Sequence, residues 1–357
     1  LFVGRNGQGK TNLIEALGYL STLGSHRVTA DHAMIRQNAN SAVIRAQIKY
    51  DGREVLAEVQ LNRTGVNRAQ INRSAIKIRE LPRYFASVLF APEDLALIRG
   101  DPSGRRRFLD QLLILRTPRF AGVMFDFDRV IRQRNSLLKS ARSARLGSEN
   151  LSTLEIWDER LVELGSEIML ARSGLVAELA SEVSRAYLLV AGDDHHPRMT
   201  IQSSLIEEAT QGDGSSALST LEQIAERFRT ALMRVRRSEV ERAVTLVGPH
   251  RDDLVLELNS MPARGYASHG ESWSFALSLK LAAAEILRRE SSTGDPVLIL
   301  DDVFAELDRQ RRTRLAHAIE GFEQVLITAA VLEDVPVELT AHTVHVRSGR
   351  IEEQHVS

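Results

Sequence analysis

Residues 4–11 complete the pattern Gly-x-x-x-x-Gly-Lys-Ser/Thr. In this pattern the glycines let backbone N–H groups cradle phosphate oxygens, the lysine reaches the β- and γ-phosphates, and the hydroxyl binds Mg²⁺. The apolar segment Leu1-Phe2-Val3 precedes the pattern, and apolar residues at helical spacing follow it. The order strand, glycine loop, helix predicts a P-loop nucleotide-binding α/β fold. The predicted nucleotide-binding residues are Gly4, Arg5, Asn6, Gly7, Gln8, Gly9, Lys10 and Thr11.

A second motif completes the predicted nucleotide site. The run Val297–Leu300 is apolar and branched, and Asp301 and Asp302 follow it directly. Such a run predicts a buried parallel strand whose carboxyl end faces the ligand crevice. We expect Asp301 to hold Mg²⁺, directly or through water, and Asp302 to polarise the attacking water. Lys10 and Asp301 lie 291 positions apart (301 minus 10), which excludes a compact single-domain GTPase.

The turn Ser268-His269-Gly270-Glu271-Ser272 opens a long amphipathic segment between these two motifs. Taken alone, a serine followed three residues later by glutamate is a common way to begin a helix. The same turn presents a hydroxyl, backbone N–H groups and a positive helix end to an anion. Because of its position it resembles the signature of ABC-type ATPases, which contacts ATP bound to another subunit.

The periodicity of the chain changes along its length. Two alternating apolar runs, Ile44–Tyr50 and Val55–Leu61, flank Gly52 and predict an antiparallel hairpin. Helical periodicity then dominates from residue 105 to residue 242. We therefore divide the chain into residues 1–104, the N-terminal part of a nucleotide-binding head; residues 105–242, an inserted helical lobe; and residues 243–357, the C-terminal part of the head.

Two apolar stripes mark the helical lobe, one from Phe120 to Leu138 and one from Leu154 to Leu175. Their steps of three and four predict a short antiparallel coiled-coil hairpin with arms of about 20–25 residues, roughly 30–38 Å each. The tip of this hairpin is predicted at residues 139–153, which are rich in Ser, Arg and Gly. The stripes equally suit an ordinary packed helical domain. Residues 195–216 are predicted to form a loop, and residues 219–242 a helix that returns to the head.

Composition excludes several classes of protein. The chain has 357 residues, 43% of them hydrophobic, and no cysteine, which rules out a disordered chain, a disulfide scaffold and thiol catalysis. No apolar run is long enough to span a bilayer, so no membrane role is expected. The formal net charge of −1 gives no overall sign of a polyanionic partner. Because the chain starts at Leu1, at the end of a strand, we expect that an N-terminal segment precedes it.

The motifs together resemble the RecF family of bacterial recombination mediators. The resemblance rests on blocks that run in order along nearly the whole chain. They are residues 2–16 around the P-loop, residues 90–95 (Phe-Ala-Pro-Glu-Asp-Leu), residues 105–110 (Arg-Arg-Arg-Phe-Leu-Asp), residues 248–253 (Gly-Pro-His-Arg-Asp-Asp), residues 268–271 and residues 300–308. The P-loop is shared with many proteins, whereas the other blocks are much more particular.

The resemblance implies an SMC-like ABC ATPase head with a short helical lobe. Members of the family form homodimers that sandwich two ATP molecules, and in that state they bind DNA. With RecO and RecR they act at gaps in damaged DNA, in repair and replication restart, and help to load RecA. A cytoplasmic, nucleoid-associated protein is therefore expected.

The resemblance also assigns roles to residues. Lys10 and Thr11 would bind phosphate and Mg²⁺, Asp301 would hold the metal, and Asp302 would be the catalytic carboxylate. Residues expected to contact the partner's ATP are Ser268, Gly270, Glu271 and Asp308, and Glu93 lies near the position of a metal-contacting glutamine. The sequence departs from the ABC pattern at Thr328, where many members have histidine, and at Asp302, where glutamate is more general. Both departures predict slow hydrolysis used as a switch.

Arginines are concentrated near the helical lobe, although the total charge is balanced. The candidate DNA contacts are Arg105, Arg106, Arg132, Arg134 and Arg142. Phosphate binding needs dense positive charge on one face rather than a basic chain, although an arginine-rich helix is also an ordinary solvated surface. No helix-turn-helix, zinc finger or RNA-binding aromatic motif is recognisable, which predicts sequence-tolerant binding to duplex, gapped or junction DNA.

Three other functions remain open at the level of sequence. The chain could be the ATPase subunit of a transporter, although the helical insertion and the block at residues 248–253 argue against this. It could be another SMC-like ATPase, but a long-armed tether is disfavoured by arms of about 20–25 residues. A non-enzymatic scaffold is the third possibility, and loss of ATP binding and dimerisation in Lys10→Ala would exclude it.

Overall fold

The computed structural model describes residues 1–28, 30–144, 152–206, 220–291 and 294–352. These residues form two compact units. Unit 1 contains Leu1–Gly100, Leu179–Arg198 and Glu257–Ser357, and unit 2 contains Asp101–Glu178 and Met199–Leu256. The division into residues 1–104, 105–242 and 243–357 stays a prediction about domains, and the observed units have these different bounds.

The strands, in chain order, are β1 (Phe2–Val3), β2 (Ser41–Tyr50), β3 (Arg53–Asn62), β4 (Arg68–Ile71), β5 (Ser74–Ile76), β6 (Ser87–Phe90), β7 (Arg198–Gln202), β8 (Asp253–Leu258), β9 (Met261–Pro262), β10 (Val297–Asp301), β11 (Val325–Ala329), β12 (Val344–Arg347) and β13 (Arg350–Glu352). The α-helices are α1 (Lys10–Thr22), α2 (Ala96–Arg99), α3 (Pro102–Arg116), α4 (Phe120–Ser143), α5 (Ser152–Ala191), α6 (Leu221–Arg242), α7 (Ala263–Tyr266), α8 (His269–Glu290) and α9 (Arg309–Ile319). Short 3₁₀ turns cover Asp31–Met34, Ile78–Arg83, Pro92–Leu95, Val303–Glu306, Leu332–Asp334 and Val337–Leu339.

A six-stranded sheet organises unit 1. Its strand order is β13-β12-β1-β11-β10-β6, and all neighbours pair in parallel except β12 and β13. Parallel strands need crossover connections, which here include α1, α8 and α9. Buried residues occupy most positions of α8, from Ser272 to Leu287, as expected for a helix covered on several sides.

The predicted hairpin of alternating residues is present. Strands β2 and β3 pair antiparallel over their full length, with Tyr50 opposite Arg53, and β4 and β5 extend the sheet in the order β2-β3-β4-β5. Side chains at alternate positions of β3, including Ala57, Val59 and Leu61, are buried against Tyr19 and Leu20 of α1. A terminal hairpin is formed by β12 and β13, with Arg347 opposite Arg350 and the turn at Ser348 and Gly349.

Helices build unit 2. Apolar side chains of α4, α5 and α6, among them Phe127, Leu161, Ile168, Phe228 and Leu232, form one buried core. The two predicted arms correspond to α4 and α5, but α6 shares their apolar stripes, so the core is built from three helices. The predicted arm length is correct for α4, which has 24 residues, and wrong for α5, which has 40. The predicted hairpin tip lies partly at residues 145–151, outside the described residues.

The predicted loop at residues 195–216 is wrong in its first part. Strand β7 occupies Arg198–Gln202, and the alternation of Met199 with polar neighbours allows one buried face. Residues 207–216 of that prediction lie outside the described residues. The helix predicted at residues 219–242 is confirmed as α6, with the Thr220 hydroxyl accepting a hydrogen bond from the Gln223 N–H at its N-terminus.

Candidate nucleotide site

The two predicted halves of the nucleotide site end at the same edge of the parallel sheet. Strand β1 leads into Gly4, and strand β10 ends at Asp301. Strand β11 lies between them, with Thr328 opposite both Phe2 and Asp301. Ligands of open α/β sheets bind outside the carboxyl ends of such strands. The site is therefore assembled by sheet order from residues that are far apart in sequence.

The glycine loop turns tightly into α1. Gly9 adopts φ of 100°, a left-handed conformation that favours glycine, and the helix starts at Lys10. The Lys10 ammonium donates hydrogen bonds to the carbonyl oxygens of Gly4, at 2.7 Å, and of Arg5, at 3.5 Å. Its side chain is buried, so the positive charge is held inside the loop by backbone acceptors. Phosphate binding by the residues of this loop stays a prediction.

The terminal hairpin contacts the glycine loop, which sequence reasoning missed. The Ser348 N–H donates to Oε1 of Gln8 at 2.7 Å, and the Gly349 N–H donates to the Gln8 carbonyl at 2.8 Å. Strand β12 lies next to β1, and a Cβ at Gly4 would come within 2.3 Å of the Val346 carbonyl oxygen. The first glycine of the motif is therefore required by strand packing as well as by any ligand.

Thr328 holds the acidic end of β10, and sequence reasoning missed this role too. Its hydroxyl donates to Oδ1 of Asp301 at 2.5 Å and accepts the Asp302 N–H at 3.0 Å. The Thr11 hydroxyl lies 3.5 Å from the same Asp301 oxygen. Thr328 is fully buried, and its position at the end of the strand next to β10 is the only sequence signal that could have indicated it. The arrangement places one hydroxyl and one carboxylate where a divalent cation could share them.

Asp302 faces the site in an unusual backbone conformation. Its φ of 51° is left-handed, which is uncommon for residues other than glycine and is often found at functional sites. Its Oδ1 is buried and has no hydrogen-bond partner among the described residues. Burial raises the pKa of this carboxyl, and Asp301 raises it further, whereas Lys10 opposes both effects. An unpaired carboxylate oxygen beside Asp301 is suited to orient a water molecule.

Glu93 follows the neighbouring strand of the sheet. Strand β6 pairs with β10, with Phe90 opposite Leu300, and Glu93 lies in the 3₁₀ turn just after β6 with an exposed side chain. Its predicted contact with a metal stays a prediction. Among the described residues there is no group of three or more His, Cys, Asp or Glu side chains that could hold a metal ion.

The predicted signature turn begins α8 as a capping box. The Ser268 hydroxyl accepts the Glu271 N–H at 3.3 Å, and the Glu271 carboxylate accepts the Ser268 N–H at 2.8 Å. These bonds lower the pKa of Glu271, whose carboxylate also lies 3.7 Å from His195. The ordinary helix-capping role is therefore present, and the role toward a second subunit stays a prediction.

Asp308 is linked to that turn through Arg311. The Asp308 carboxylate accepts the Arg311 backbone N–H at 2.9 Å, which caps α9, and a guanidinium N–H at 2.7 Å. The same guanidinium lies over Gly270, where a Cβ would come within 2.8 Å of Nη1. The two segments predicted to face a second subunit are thus neighbours within one chain.

Two of the five predicted DNA contacts are wrong, because their side chains are buried in ion pairs of unit 2. Arg134 is 0% exposed and donates to Asp158 at 2.7 Å, to Thr245 at 2.9 Å and to Glu239 at 2.5 Å. Arg105 is 4% exposed and makes two hydrogen bonds to the carboxylate of Asp253, at 2.7 Å and 2.8 Å. Neither guanidinium is available to phosphate.

The other three predicted contacts differ in accessibility. Arg132 and Arg142 of α4 are exposed. Arg106 is half-buried, donates to the Asp252 carbonyl at 2.7 Å, and has its pKa lowered, mainly by burial. Arg132 and Arg142 therefore remain the strongest candidates for a nucleic-acid surface.

Comparison with known protein families decides the classification. The family model described as the RecF/RecN/SMC N terminal domain matches residues 1–350. The DNA replication and repair protein RecF of Clavibacter sepedonicus is 62% identical over 363 residues, which cover 99% of this chain and 89% of that protein. The chain belongs to the RecF family.

Solved structures agree with this family at the level of the fold. A RecF structure with ATP, described as the recombination mediator protein in the RecFOR pathway, superposes with a TM-score of 0.86 at 28% identity, covering 98% of this chain and 90% of that one. An Smc head bound to the C-winged helix domain of ScpA has a TM-score of 0.50 at 14% identity, covering 98% and 87%. This member of the RecF family thus has the SMC-like, ABC-type P-loop ATPase head fold.

Two sequence blocks typical of RecF contact each other in unit 2. Arg105, from the block at residues 105–110, pairs with Asp253 from the block at residues 248–253. Asp110 pairs with Arg172, which also donates to the Pro249 carbonyl at 2.7 Å. These blocks therefore stabilise the helical unit. Among the described residues, no helix is both long and apolar enough to cross a membrane.

Proposed function

We propose that this RecF-family chain is an ATP-dependent DNA-binding protein of recombinational repair and replication restart. ATP would drive two copies into a homodimer, and the dimer would act at gapped or damaged DNA. The observation that carries this proposal is the meeting of Thr11, Asp301 and Asp302 at one edge of the sheet, next to the buried Lys10. A hydroxyl, two carboxylates and a lysine in this arrangement suit a phosphate-bound cation and a water nucleophile.

The residues fit Mg²⁺ bound together with ATP. Asp302 Oδ1 is buried and has no hydrogen-bond partner among the described residues. The Thr11 hydroxyl lies 3.5 Å from Asp301 Oδ1, so one cation could contact both groups. Mg²⁺ would neutralise phosphate charge when bound. Thr11 and Asp301 would hold the metal, Lys10 would exchange its carbonyl partners for phosphate oxygens, and Asp302 would orient water. Glu93, after β6, would approach the same metal from the neighbouring strand.

We infer that hydrolysis is slow and serves to reset the dimer. Asp302 is one methylene shorter than glutamate, so its carboxylate reaches less far from a backbone that is held here at φ 51°. Thr328, at the end of β11, is committed to Asp301 and to the Asp302 N–H. A switch needs only a difference in ATP affinity between monomer and dimer, not rapid turnover.

The segments that would contact the partner's ATP are the turn with Ser268, Gly270 and Glu271, and Asp308. Both turns begin helices, so both present backbone N–H groups toward an anion. The hydrogen bonds between Ser268 and Glu271 lie at the surface, so this turn is accessible to a second copy of the chain.

DNA binding is assigned to the exposed basic side of α4. Arg132 and Arg142 would contact phosphates without reading the base sequence. Arg106 would add little to DNA binding, because it is half-buried and already donates to the Asp252 carbonyl. The similar RecF–ATP structure is that of a recombination mediator protein in the RecFOR pathway. By extension we propose RecO and RecR as partners, RecA loading as the outcome, and a cytoplasmic site of action at the nucleoid.

Sedimentation velocity tests the proposal. The wild-type chain, Lys10→Ala and a matched surface control, Lys49→Ala, are run with and without ATP and Mg²⁺, and then with gapped duplex DNA. We expect ATP to convert wild type and Lys49→Ala to dimers that bind the DNA, and Lys10→Ala to stay monomeric. A dimer that forms equally without nucleotide, or DNA binding that ignores ATP, would refute the switch. Turnover in the hundreds per second would refute slow hydrolysis.

A further inference from the structure

His26 stands beside the acidic pair, and its position is built by buried contacts. It follows α1 in a turn organised by Ser25, whose hydroxyl donates to the Glu15 carboxylate of α1. The same hydroxyl accepts the N–H groups of Arg27, at 2.9 Å, and Val28, at 3.0 Å. Ser25 and Glu15 are both buried. The turn is therefore tied to the helix that follows the P-loop, and His26 cannot move independently of it.

The His26 ring faces the second oxygen of the Asp301 carboxylate. Its Nε2 lies 3.8 Å from Asp301 Oδ2, while Asp301 Oδ1 is already engaged by Thr328. The His26 side chain is 16% exposed, and Nε2 itself is buried with no hydrogen-bond partner among the described residues. Leaving such an atom unsatisfied costs about 1–3 kcal/mol, so a partner is expected close by.

Asp301 Oδ2 is an acceptor within reach of this atom. A separation of 3.8 Å is longer than a hydrogen bond, and a shift of about 1 Å would bring the two atoms to bonding distance. Asp302 Oδ1 is a second buried and unpaired atom of the same acidic pair. Buried polar atoms without partners are rare in folded proteins, so two of them at one acidic pair indicate a functional site.

We propose that His26 is a positioning residue of the nucleotide site. Its Nε2 donates a hydrogen bond to Asp301 Oδ2 when Mg²⁺ is bound, while Thr328 holds Oδ1, so that the carboxylate is fixed from both sides. The proposal rests on the proposed function, because Asp301 is the residue assigned to Mg²⁺. Outer partners of this kind set the orientation of a metal ligand, and their loss typically costs about 10- to 100-fold in metal affinity or activity.

The test separates metal binding from nucleotide binding. Binding of a fluorescent ATP analogue is titrated with Mg²⁺ after a measurement in EDTA, for wild type, His26→Ala, His26→Gln and the exposed control His32→Ala. We expect His26→Ala to bind the analogue normally in EDTA but to need about 10- to 100-fold more Mg²⁺ for half-maximal response. Gln places an amide nitrogen near the position of Nε2, so His26→Gln should recover most of the loss.

Each other outcome overturns the proposal. If the Mg²⁺ titration curve of His26→Ala coincides with those of wild type and His32→Ala, the imidazole has no role in metal binding. Weak binding of the analogue in EDTA, or no recovery in His26→Gln, shows that His26 supports the fold of the turn instead. Failure of the proposed function looks different, because wild type itself would then bind the analogue without any response to Mg²⁺.

Discussion

Arg311 donates a hydrogen bond from its guanidinium to the Asp308 carboxylate at 2.7 Å, and the same guanidinium occupies the space above Gly270. A methyl group at position 270 would come within 2.8 Å of Nη1, so the flexible end of Arg311 would have to move away. Gly270→Ala is therefore expected to change thermal stability little and to weaken ATP-dependent dimerisation at least about tenfold, or about 1.4 kcal/mol. Analytical ultracentrifugation at graded protein concentrations measures this.

Gly104→Ala is the matched control for that variant. Gly104 also lies in the first turn of a helix, α3, and a Cβ there would meet no atom within 4 Å. It should dimerise as wild type does and gain up to about 1 kcal/mol of stability from the higher helix propensity of alanine. Equal dimerisation by both variants would show that the contact between Arg311 and Gly270 is irrelevant to assembly.

Arg134 of α4 is expected to control the stability of unit 2. Arg134→Ala would leave the buried Glu239 carboxylate without its cationic partner, at a cost of about 3–5 kcal/mol, whereas Asp158 keeps its ion pair with Arg236 at 2.6 Å. The exposed Arg132→Ala should change the free energy of unfolding by no more than about 0.5 kcal/mol. Trp157 packs against the core of this unit, so urea unfolding is followed by its fluorescence after Trp273→Phe removes the other tryptophan. A stability loss below about 1 kcal/mol for Arg134→Ala would contradict the buried network.

Arg132 and Arg142 are expected to affect DNA binding without affecting stability. Both side chains are exposed on α4, as are those of Arg129 and Lys139, although the exposed Asp128 reduces the positive charge there. Neutralising Arg132 and Arg142 together should weaken binding to gapped duplex and lower the slope of log affinity against log salt by about 0.9 per lost phosphate contact.

The double variant Arg160→Ala and Arg237→Ala is the control, since both side chains are exposed arginines of unit 2 on other helices. It removes the same net charge and should leave the salt slope unchanged. If both double variants lose the same DNA affinity, the loss reflects the net charge of the protein, and the proposal that α4 contacts DNA is wrong.

The burial of Arg134 could have been predicted from the sequence. Arg134 lies seven residues after Phe127 and four before Leu138, both on the buried stripe of α4, so helical spacing alone indicates burial. A prediction of DNA contacts from positive charge alone does not use this spacing. The P-loop and the acidic strand were predictable because each motif is contiguous. Thr328, His26 and the contact of Gln8 with the terminal hairpin were not, because they depend on which strands are neighbours, and β11 and β12 come from the far end of the chain.

His250 is expected to make unit 2 less stable in acid. Burial lowers its pKa from 6.5 to about 4, although Nε2 donates to the Thr245 carbonyl at 3.3 Å. Between pH 6.5 and about pH 4, His250 is therefore protonated in the unfolded chain but neutral in the folded protein. The free energy of unfolding falls as the pH drops through this range, and it levels off below about pH 4. From about pH 7 to about pH 5, His250 should contribute a loss of up to about 2 kcal/mol.

His250→Gln removes the titrating ring and keeps an amide nitrogen near the position of Nε2 that can donate to the Thr245 carbonyl. Urea unfolding followed by Trp157 fluorescence, at several pH values, gives the difference between wild type and this variant. As the pH falls, the free energy of unfolding should decrease more for wild type than for the variant. A difference independent of pH would mean that His250 titrates normally in the folded state.

Gly4→Ala tests the packing of β12 against the P-loop. Its methyl group would lie 2.3 Å from the Val346 carbonyl oxygen, which is backbone and cannot rotate away. We expect a loss of about 1–3 kcal/mol in unit 1, because overpacking forces the backbone to shift. Fluorescence of Trp273, which is buried against Phe90, reports this loss after Trp157→Phe.

Gly18→Ala in α1 is the control, since a methyl group there makes only an ordinary contact of 3.8 Å with Leu89. It should be as stable as wild type or slightly more stable. Gly4→Ala should also bind ATP more weakly, because the Gly4 carbonyl accepts the Lys10 ammonium and the shifted strand would move that acceptor. Normal stability with weak ATP binding would assign Gly4 to the ligand alone, whereas loss of both properties supports its double role in strand packing and phosphate binding.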